Sequence, residues 1–255
     1  MKKSLKIAIL SYRSAPFGGG QGIYVYELSK TLKQLGHQVD IISGPPYPEL
    51  IPGIKLIKLP GLNLFSTFKF RDRLDLFLNK KNKSFDDWYE FSSTLLGGFP
   101  ELQTFGNRAH SYLLDKTYDV VIDNQSISYG AVKIQDSFPL VEMMHHPISK
   151  DYYYDLKFAK GILQRISKIR WYSFLKMQKI SAKKINVIVT PSVNSKADIH
   201  IDFKVPMENI QVIPNGIDCD IFCPLPHILS KKHRLITTAS ADVPLKGLDF
   251  LLEAI

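Results

Sequence analysis

The sequence predicts an α/β protein built on a doubly wound parallel sheet. Short apolar runs rich in β-branched residues recur along the 255-residue chain and alternate with stretches of helical periodicity. Such runs are typical of strands that are buried on both faces of a parallel sheet. A glycine-rich turn, Gly18-Gly19-Gly20-Gln21-Gly22, joins the first of these strands to the first helix. The alternation of strand and helix indicates helices on both faces of the sheet.

The glycine-rich turn lies between a predicted strand at residues 6–10 and a predicted helix at residues 23–35, which Gly36 is placed to end. The apolar face of this helix consists of Val25, Leu28, Leu32 and Leu35. A helix that follows a strand and a glycine turn directs backbone N–H groups and its positive end toward one point. The turn therefore predicts a site for an anion or a second domain. A plain turn that lets the helix pack on the sheet is the alternative.

The spacing of the glycines argues against two common phosphate sites. The dinucleotide fingerprint needs a third glycine where this chain has Ile23 or Val25, depending on the starting glycine. A P-loop needs Gly-Lys-Ser/Thr at the start of the helix, where this chain has Gly22-Ile23-Tyr24. Binding of NAD and hydrolysis of nucleoside triphosphates are therefore disfavoured.

Six further strands are predicted after the first helix. They lie at residues 39–42, 54–59, 118–123, 138–144, 185–190 and 210–213. Residues 61–117 are rich in aromatic residues and leucine and predict mostly helix, with a break at residues 97–100. Ser195 is predicted to cap a helix that begins near Lys196.

The chain changes character after Gly216. Residues 217–233 contain Pro224 and Pro226 and show no periodicity, as is typical of a linker. Residues 234–239 then predict a new strand, and residues 248–255 predict the start of an amphipathic helix. We therefore expect one domain at residues 1–216, a linker at 217–233 and the truncated start of a second domain at 234–255.

The composition predicts a soluble, globular protein of the cytoplasm. The chain is 45% hydrophobic and 22% charged, and it has neither a signal peptide nor an apolar run long enough to cross a bilayer. Its two cysteines, Cys219 and Cys223, fit a reducing compartment. Because no other cysteine or histidine accompanies them or the pair His145-His146, no metal site is expected.

Much of the net charge of +9 lies in one segment, because residues 150–184 hold ten basic residues and two acidic ones. Residues 156–184 predict one long helix or two joined helices with basic and aromatic side chains. Lys168, Trp171 and Lys176 are candidates for contact with an acceptor or with an anionic membrane at the inner face of the cell membrane. A solvated helix face is an equally good interpretation, and no motif supports binding of nucleic acid.

Three motifs, in order along the chain, resemble those of one known family. The glycine-rich turn continues into residues 23–28, Ile-Tyr-Val-Tyr-Glu-Leu, and residues 35–39 read Leu-Gly-His-Gln-Val. Residues 212–218 read Val-Ile-Pro-Asn-Gly-Ile-Asp, and residues 245–247 read Leu-Lys-Gly. Together they resemble the family 4 retaining glycosyltransferases, whose fold is GT-B.

The resemblance implies transfer of a sugar from a nucleotide-sugar donor to a glycan or lipid-linked acceptor, with retention and without a metal or other cofactor. In the family the N-terminal half holds the acceptor and the C-terminal half holds the nucleotide. Gly19 and Gly20 would approach the donor diphosphate from across the cleft, and Lys246 would bind it. His145 or His146, at the end of a predicted strand, would lie near the transferred sugar, and His145 is preferred.

Two departures from the family pattern bear on activity. Ser240 stands where the family often has an arginine, and the family's later acidic residues would lie beyond Ile255. The chain is therefore expected to be the acceptor half with the start of the donor half, and not to catalyse transfer alone. The alternative is a non-catalytic half-transferase that binds an acceptor or a partner, with a separate chain supplying the donor domain.

Overall fold

A computed structural model describes residues 3–16, 19–225, 233–237 and 247–255. Seven parallel strands form one sheet in the order β3-β2-β1-β4-β5-β6-β7. Their bounds are β1 Lys6–Ser11, β2 Gln38–Ser43, β3 Lys55–Lys58, β4 Val120–Asn124, β5 Leu140–Met143, β6 Ile188–Thr190 and β7 Ile210–Val212. The predicted doubly wound parallel sheet is confirmed.

Helices connect the strands. They are α1 Gly20–Gln34, α2 Phe70–Asn79, α3 Phe85–Leu95, α4 Glu101–Leu113, α5 Tyr129–Gln135, α6 Ser149–Lys157, α7 Ile162–Trp171, α8 Leu175–Ala182, α9 Val193–Phe203 and α10 Leu248–Glu253. Short 3₁₀ turns lie at Leu64–Ser66, Tyr172–Phe174 and Met207–Asn209. In the part of the chain that the structure describes, no helix is both long enough and apolar enough to span a bilayer.

Side chains of β1 alternate between two cores, one on each face of the sheet. Ile7 and Ile9 pack on the face that α1 covers through Val25, with Leu28 and Leu32 beside it. Ala8 and Leu10 belong to the larger core on the opposite face, to which α4, α5, α8 and α9 contribute. A strand buried on both sides has no polar face, which is why its sequence is a continuous apolar run.

The order of the strands reverses beside β1, which pairs with β2 on one side and β4 on the other. Connections leaving two adjacent parallel strands in opposite directions open a crevice beyond the carboxyl ends of those strands. The crevice lies between the β1–α1 turn and the β4–α5 turn, and ligands of doubly wound sheets bind at this kind of place.

Two local predictions are wrong. Leu35 is 68% exposed, because α1 ends at Gln34 and the chain turns at Gly36, whose φ is +89°. Ser192, not Ser195, caps α9, because its hydroxyl accepts a hydrogen bond from the backbone N–H of Ser195.

The predicted helical segment 156–184 is also interrupted. It contains the end of α6, then α7, a 3₁₀ turn and α8, and Gly161 breaks the helix with a φ of +89°. Residues 234–237 are not in a strand, whereas the helix predicted at 248–255 is present as α10. The rest of that predicted strand lies outside the described residues.

Candidate functional site

The β1–α1 turn forms one wall of the crevice. Gly19 precedes α1 with a φ of 140°, and a Cβ added at Gly19 or Gly20 would meet no atom of the described residues within 4 Å. At Gly22, by contrast, a Cβ would lie 2.2 Å from the carbonyl oxygen of Ala15. The turn thus uses Gly22 to pack the helix on the preceding loop and leaves Gly19 and Gly20 open to an approaching molecule. Gly18 lies outside the described residues.

This difference predicts separate effects of two substitutions in one turn. Gly22→Ala should lower the free energy of unfolding by about 2 kcal/mol, because the backbone of Ala15 must move to admit the methyl group. Gly20→Ala should change it by less than about 0.5 kcal/mol, since the space is open. Urea denaturation followed by circular dichroism measures both, and equal effects would contradict the division of roles.

His145 lies on the opposite wall, two residues after β5. Its Nε2 is 2.9 Å from Oδ1 of Asn124, the last residue of β4, and its backbone N–H donates to Oε1 of Gln125. Its ring meets that of Tyr24, on the first turns of α1, edge to face with centroids 4.5 Å apart. The histidine therefore bridges the ends of β4 and β5 and the start of α1.

Burial, with a smaller contribution from neighbouring His146, lowers the pKa of His145 to about 4. The ring is therefore neutral at pH 7. Because Asn124 Oδ1 is an acceptor, Nε2 carries the proton and Nδ1 is left as an acceptor. A neutral ring with one open acceptor can receive a hydrogen bond from a hydroxyl group.

His146 is placed differently. It is exposed, and its Nε2 lies 3.0 Å from Oδ2 of Asp151 on α6. The two adjacent histidines thus point to different neighbours, and the ring contact with α1 belongs to His145.

A pair of buried carboxyl groups lies on β4 and β5, one residue before Asn124 and three residues before His145. Asp123 on β4 and Glu142 on β5 are register partners, and both side chains are completely buried. Burial raises the pKa of Glu142 well above its usual range, and the charge of Asp123 raises it further. Burial also raises the pKa of Asp123 to about 6, against the opposing effect of hydrogen bonds from Ser126 and Glu142. Because both pKa values are raised, the pair retains a proton to higher pH than two exposed carboxyl groups would.

The carboxyl pair is tied to the turn that contacts His145. The Ser126 hydroxyl donates to Asp123 Oδ2, and the backbone N–H groups of Ser126 and Ile127 also stabilise the Asp123 carboxylate. Gln125 and Ile127 have φ values of 66° and 48°, in the left-handed backbone region that residues other than glycine rarely adopt. These hydrogen bonds offset the cost of that conformation and hold Asn124 and Gln125 toward the histidine.

Further along the same edge, Arg13 Nη1 lies 3.0 Å from Oε2 of Glu101 at the start of α4. Burial raises the pKa of Glu101 to about 7, although the positive charge of Arg13 acts in the opposite direction. The ion pair connects the β1–α1 turn to α4.

The remaining predicted site residues are dispersed. Lys168 Nζ lies 2.7 Å from Oδ2 of Asp155, Trp171 packs against the Phe65 and Phe99 rings, and Lys176 is exposed on α8. Lys246 lies outside the described residues, as does Ser240. Cys219 and Cys223 are exposed free thiols. Within the described ranges, no three histidine, cysteine, aspartate or glutamate side chains are grouped to bind a metal ion.

Sequence reasoning missed Tyr24, Asn124 and Gln125, and also the pair Asp123–Glu142. One signal was present, because Asp123-Asn124-Gln125-Ser126 is a polar run directly after an apolar strand. Polar residues in that position lie at the carboxyl edge of a parallel sheet, where ligands bind.

Comparison with known proteins identifies the family. The family model described as Glycosyltransferase Family 4 matches residues 18–221. The chain belongs to this family. The glycine-rich turn, His145 and the carboxyl pair all lie within the matched residues of this Glycosyltransferase Family 4 chain.

A curated relative is the MMP α-(1→4)-mannosyltransferase of Mycolicibacterium hassiacum, 40% identical over 255 residues. The match covers 98% of this family 4 chain and 61% of that protein, so the chain spans about three fifths of its relative's length.

Two solved structures are also similar. A glycosyltransferase from Rickettsia africae matches with 16% identity and a TM-score of 0.44, over 85% of this family 4 chain and 45% of that one. The catalytic domain of starch synthase IV from Arabidopsis thaliana, bound to ADP and acarbose, matches with 15% identity and a TM-score of 0.48. That match covers 87% of this chain and 54% of the other.

Proposed function

We propose that the protein transfers a sugar from a nucleotide-sugar donor to a saccharide acceptor, with retention of configuration and without a metal ion or other cofactor. The observation that carries this proposal is the family match over residues 18–221. The 40% identical relative is named as an α-(1→4)-mannosyltransferase, which makes a mannosyl donor the first to test.

The division of the chain follows from the same proposal. Residues 1–216 form the acceptor-side domain, 217–233 the linker and 234–255 the start of the donor-binding domain. The sheet described above ends with β7 at Val212, which supports the first boundary. Lys30 on α1 lies 3.6 Å from Asp218, so the first linker residues are in contact with the helix that follows the glycine-rich turn.

The site residues take the following roles. Gly19 and Gly20 approach the donor diphosphate, because their open space admits a ligand beside the backbone and the first N–H groups of α1. His145 accepts a hydrogen bond from a hydroxyl of the transferred sugar through Nδ1, since Asn124 already engages Nε2. Lys246 would bind the diphosphate from the donor side.

Incubation with UDP-, GDP- and ADP-sugars and a mixture of oligomannosides, followed by mass spectrometry, tests the proposed activity. An acceptor product one hexose heavier is the expected result, and the anomeric configuration of the product reports retention. A second arm adds the donor half of the relative as a separate chain. Absence of a product in both arms would contradict the proposed activity.

We also propose that α7 lies on an anionic membrane at the inner face of the cell membrane. α7 has no buried residue, and Ile162 and Leu163 are 76% and 83% exposed. Lys160, Arg165 and Arg170 lie on or beside the same helix. Exposed apolar side chains flanked by cations are typical of a helix that lies in the headgroup region of a bilayer.

Pelleting with phosphatidylglycerol vesicles tests this surface. The double change Ile162→Ser and Leu163→Ser should reduce the bound fraction about fivefold or more, because it removes the apolar contacts with the acyl chains. Val193→Ser on α9 is the matched control, since Val193 is 72% exposed and far along the chain from α7. Binding that survives the double change, or equal binding to phosphatidylcholine vesicles, would refute the membrane contact.

A further inference from the structure

A pocket of about 210 Å³ lies between the α3–α4 connection, the start of α5 and the start of α8. It is distinct from the glycine-rich turn and from His145. Its apolar walls include Phe99, Phe174 and Met177. Phe99 is held in place by Trp171 and Phe174, with ring centroids 5.1 Å and 5.8 Å away. The walls are therefore a fixed surface of aromatic rings.

The rim of the pocket carries polar groups suited to hydroxyls. The Tyr89 hydroxyl donates to Gln103 Oε1 at 3.3 Å, and this leaves the amide N–H groups of Gln103 available. Tyr129, the first residue of α5, adds a second half-exposed phenol. Rings that cover the C–H face of a sugar, together with amide and phenol groups that reach its hydroxyls, form a general recognition surface for a pyranose.

Among the described residues, Lys176 is the one charged side chain that lines this pocket. Within the same part of the chain, no carboxylate lies within 4.0 Å of its Nζ, whereas nearby Lys168 is paired with Asp155. A cation that has no carboxylate partner among the described residues, on the rim of a pocket whose described lining includes no acidic residue, favours an anionic group on the ligand.

An aromatic contact connects the wall of the pocket with the residue that follows β1. Phe99 packs edge to face against Tyr12, which directly follows β1, and the Tyr12 hydroxyl accepts a hydrogen bond from Gln21 on the first turn of α1. The Tyr12 ring thus lies between the aromatic wall and the glycine-rich turn. The pocket and the crevice therefore belong to the same seven-stranded domain.

We propose that this pocket binds one pyranose ring of the acceptor together with an anionic substituent, which Lys176 recognises. The identification of this sugar as the acceptor rests on the proposed transferase function. Binding itself does not require a donor, because the lining residues all lie between Tyr89 and Met177. The anionic group is a carboxylate or a phosphate, since a lone ammonium group binds either one.

Calorimetric titration of the 255-residue chain tests the proposal with three probes: methyl α-D-glucuronopyranoside, mannose 6-phosphate and methyl α-D-mannopyranoside. Tighter binding of one or both anionic probes than of the neutral glycoside, by about fivefold, is expected from one partly exposed charge pair. Tightest binding of the glucuronoside would assign a carboxylate, and that of the 6-phosphate a phosphate. Lys176→Ala should abolish the preference for the anionic probe, and Gln103→Ala should weaken all three probes.

Lys183→Ala is the matched control, because Lys183 is an exposed lysine that follows the same helix and does not line the pocket. An equal affinity for neutral and anionic probes, an unchanged preference in Lys176→Ala, or no binding of any probe would overturn the inference. Those outcomes leave the donor assay unaffected, so failure of the pocket and failure of the transferase function are distinguishable.

Discussion

Replacing Glu142 with leucine is expected to lower the free energy of unfolding by about 3 kcal/mol at pH 7. The substitution removes the carboxyl group that shares a proton with Asp123 and leaves the Asp123 carboxyl group buried alone between β4 and β5. Glu142→Gln is the matched control, because its amide can still donate to Asp123 and should cost about 1 kcal/mol or less. Urea denaturation measures both, and a leucine variant as stable as the glutamine variant would contradict the shared-proton arrangement.

The same pair predicts how stability depends on pH. The pKa of Asp123 is raised to about 6 and that of Glu142 well above its usual value, so this pair holds more protons in the folded chain than in the unfolded chain above about pH 4. The contribution of the pair to the free energy of unfolding is therefore fully present below the pKa values of the unfolded chain. It is lost as the pH rises through the raised pKa values of the folded chain. The decrease in stability between about pH 5 and pH 8 should be smaller in Glu142→Gln than in the wild type.

The second large effect is expected at His145. His145→Ala should lower kcat/KM for sugar transfer about 100-fold, the range found when one preorganised hydrogen-bonding group at a reacting centre is removed. His146→Ala should change it by about threefold or less, because His146 is exposed and contacts Asp151. The measurement is initial-rate transfer with the donor that the wild-type protein uses.

Two checks keep the histidine comparison clear. Far-ultraviolet circular dichroism must show both variants folded, and NMR titration of the wild type should find the His145 ring titrating near pH 4. Equal losses in the two variants would contradict the placement of His145 at the transferred sugar.

Most of the fold could be predicted from sequence because each strand is specified locally. The strands of a doubly wound sheet are buried on both faces, so the centre of β1 appears as an apolar run whatever its neighbours are. The glycine-rich turn was recognisable for a similar reason. Gly22 must be a glycine because the backbone of Ala15, only seven residues earlier, leaves no space for a Cβ atom. Helix boundaries around Gly161 were harder, because that glycine interrupts a continuous apolar periodicity.

The site was less predictable because its contacts join distant parts of the chain. His145 and His146 are equivalent as sequence, and only the course of the chain after β5 turns one toward Tyr24 and the other toward Asp151. The pairing of Asp123 with Glu142 depends on the register of β4 and β5, which no local pattern fixes. Likewise Lys176 differs from Lys168 in lacking a nearby Asp155, a fact of tertiary structure.

The strand order also determines at which stage of protein synthesis the crevice can form. β1 is made early in synthesis, but its second neighbour, β4, follows more than a hundred residues later, and β5 later still. Until those strands leave the ribosome, Tyr24 on α1 cannot contact the His145 ring, and the glycine-rich turn has no opposite wall. Pairing of such sequence-distant parallel strands is slow compared with helix formation. Nascent chains arrested before residue 145 should therefore lack the crevice, however much helix they have formed.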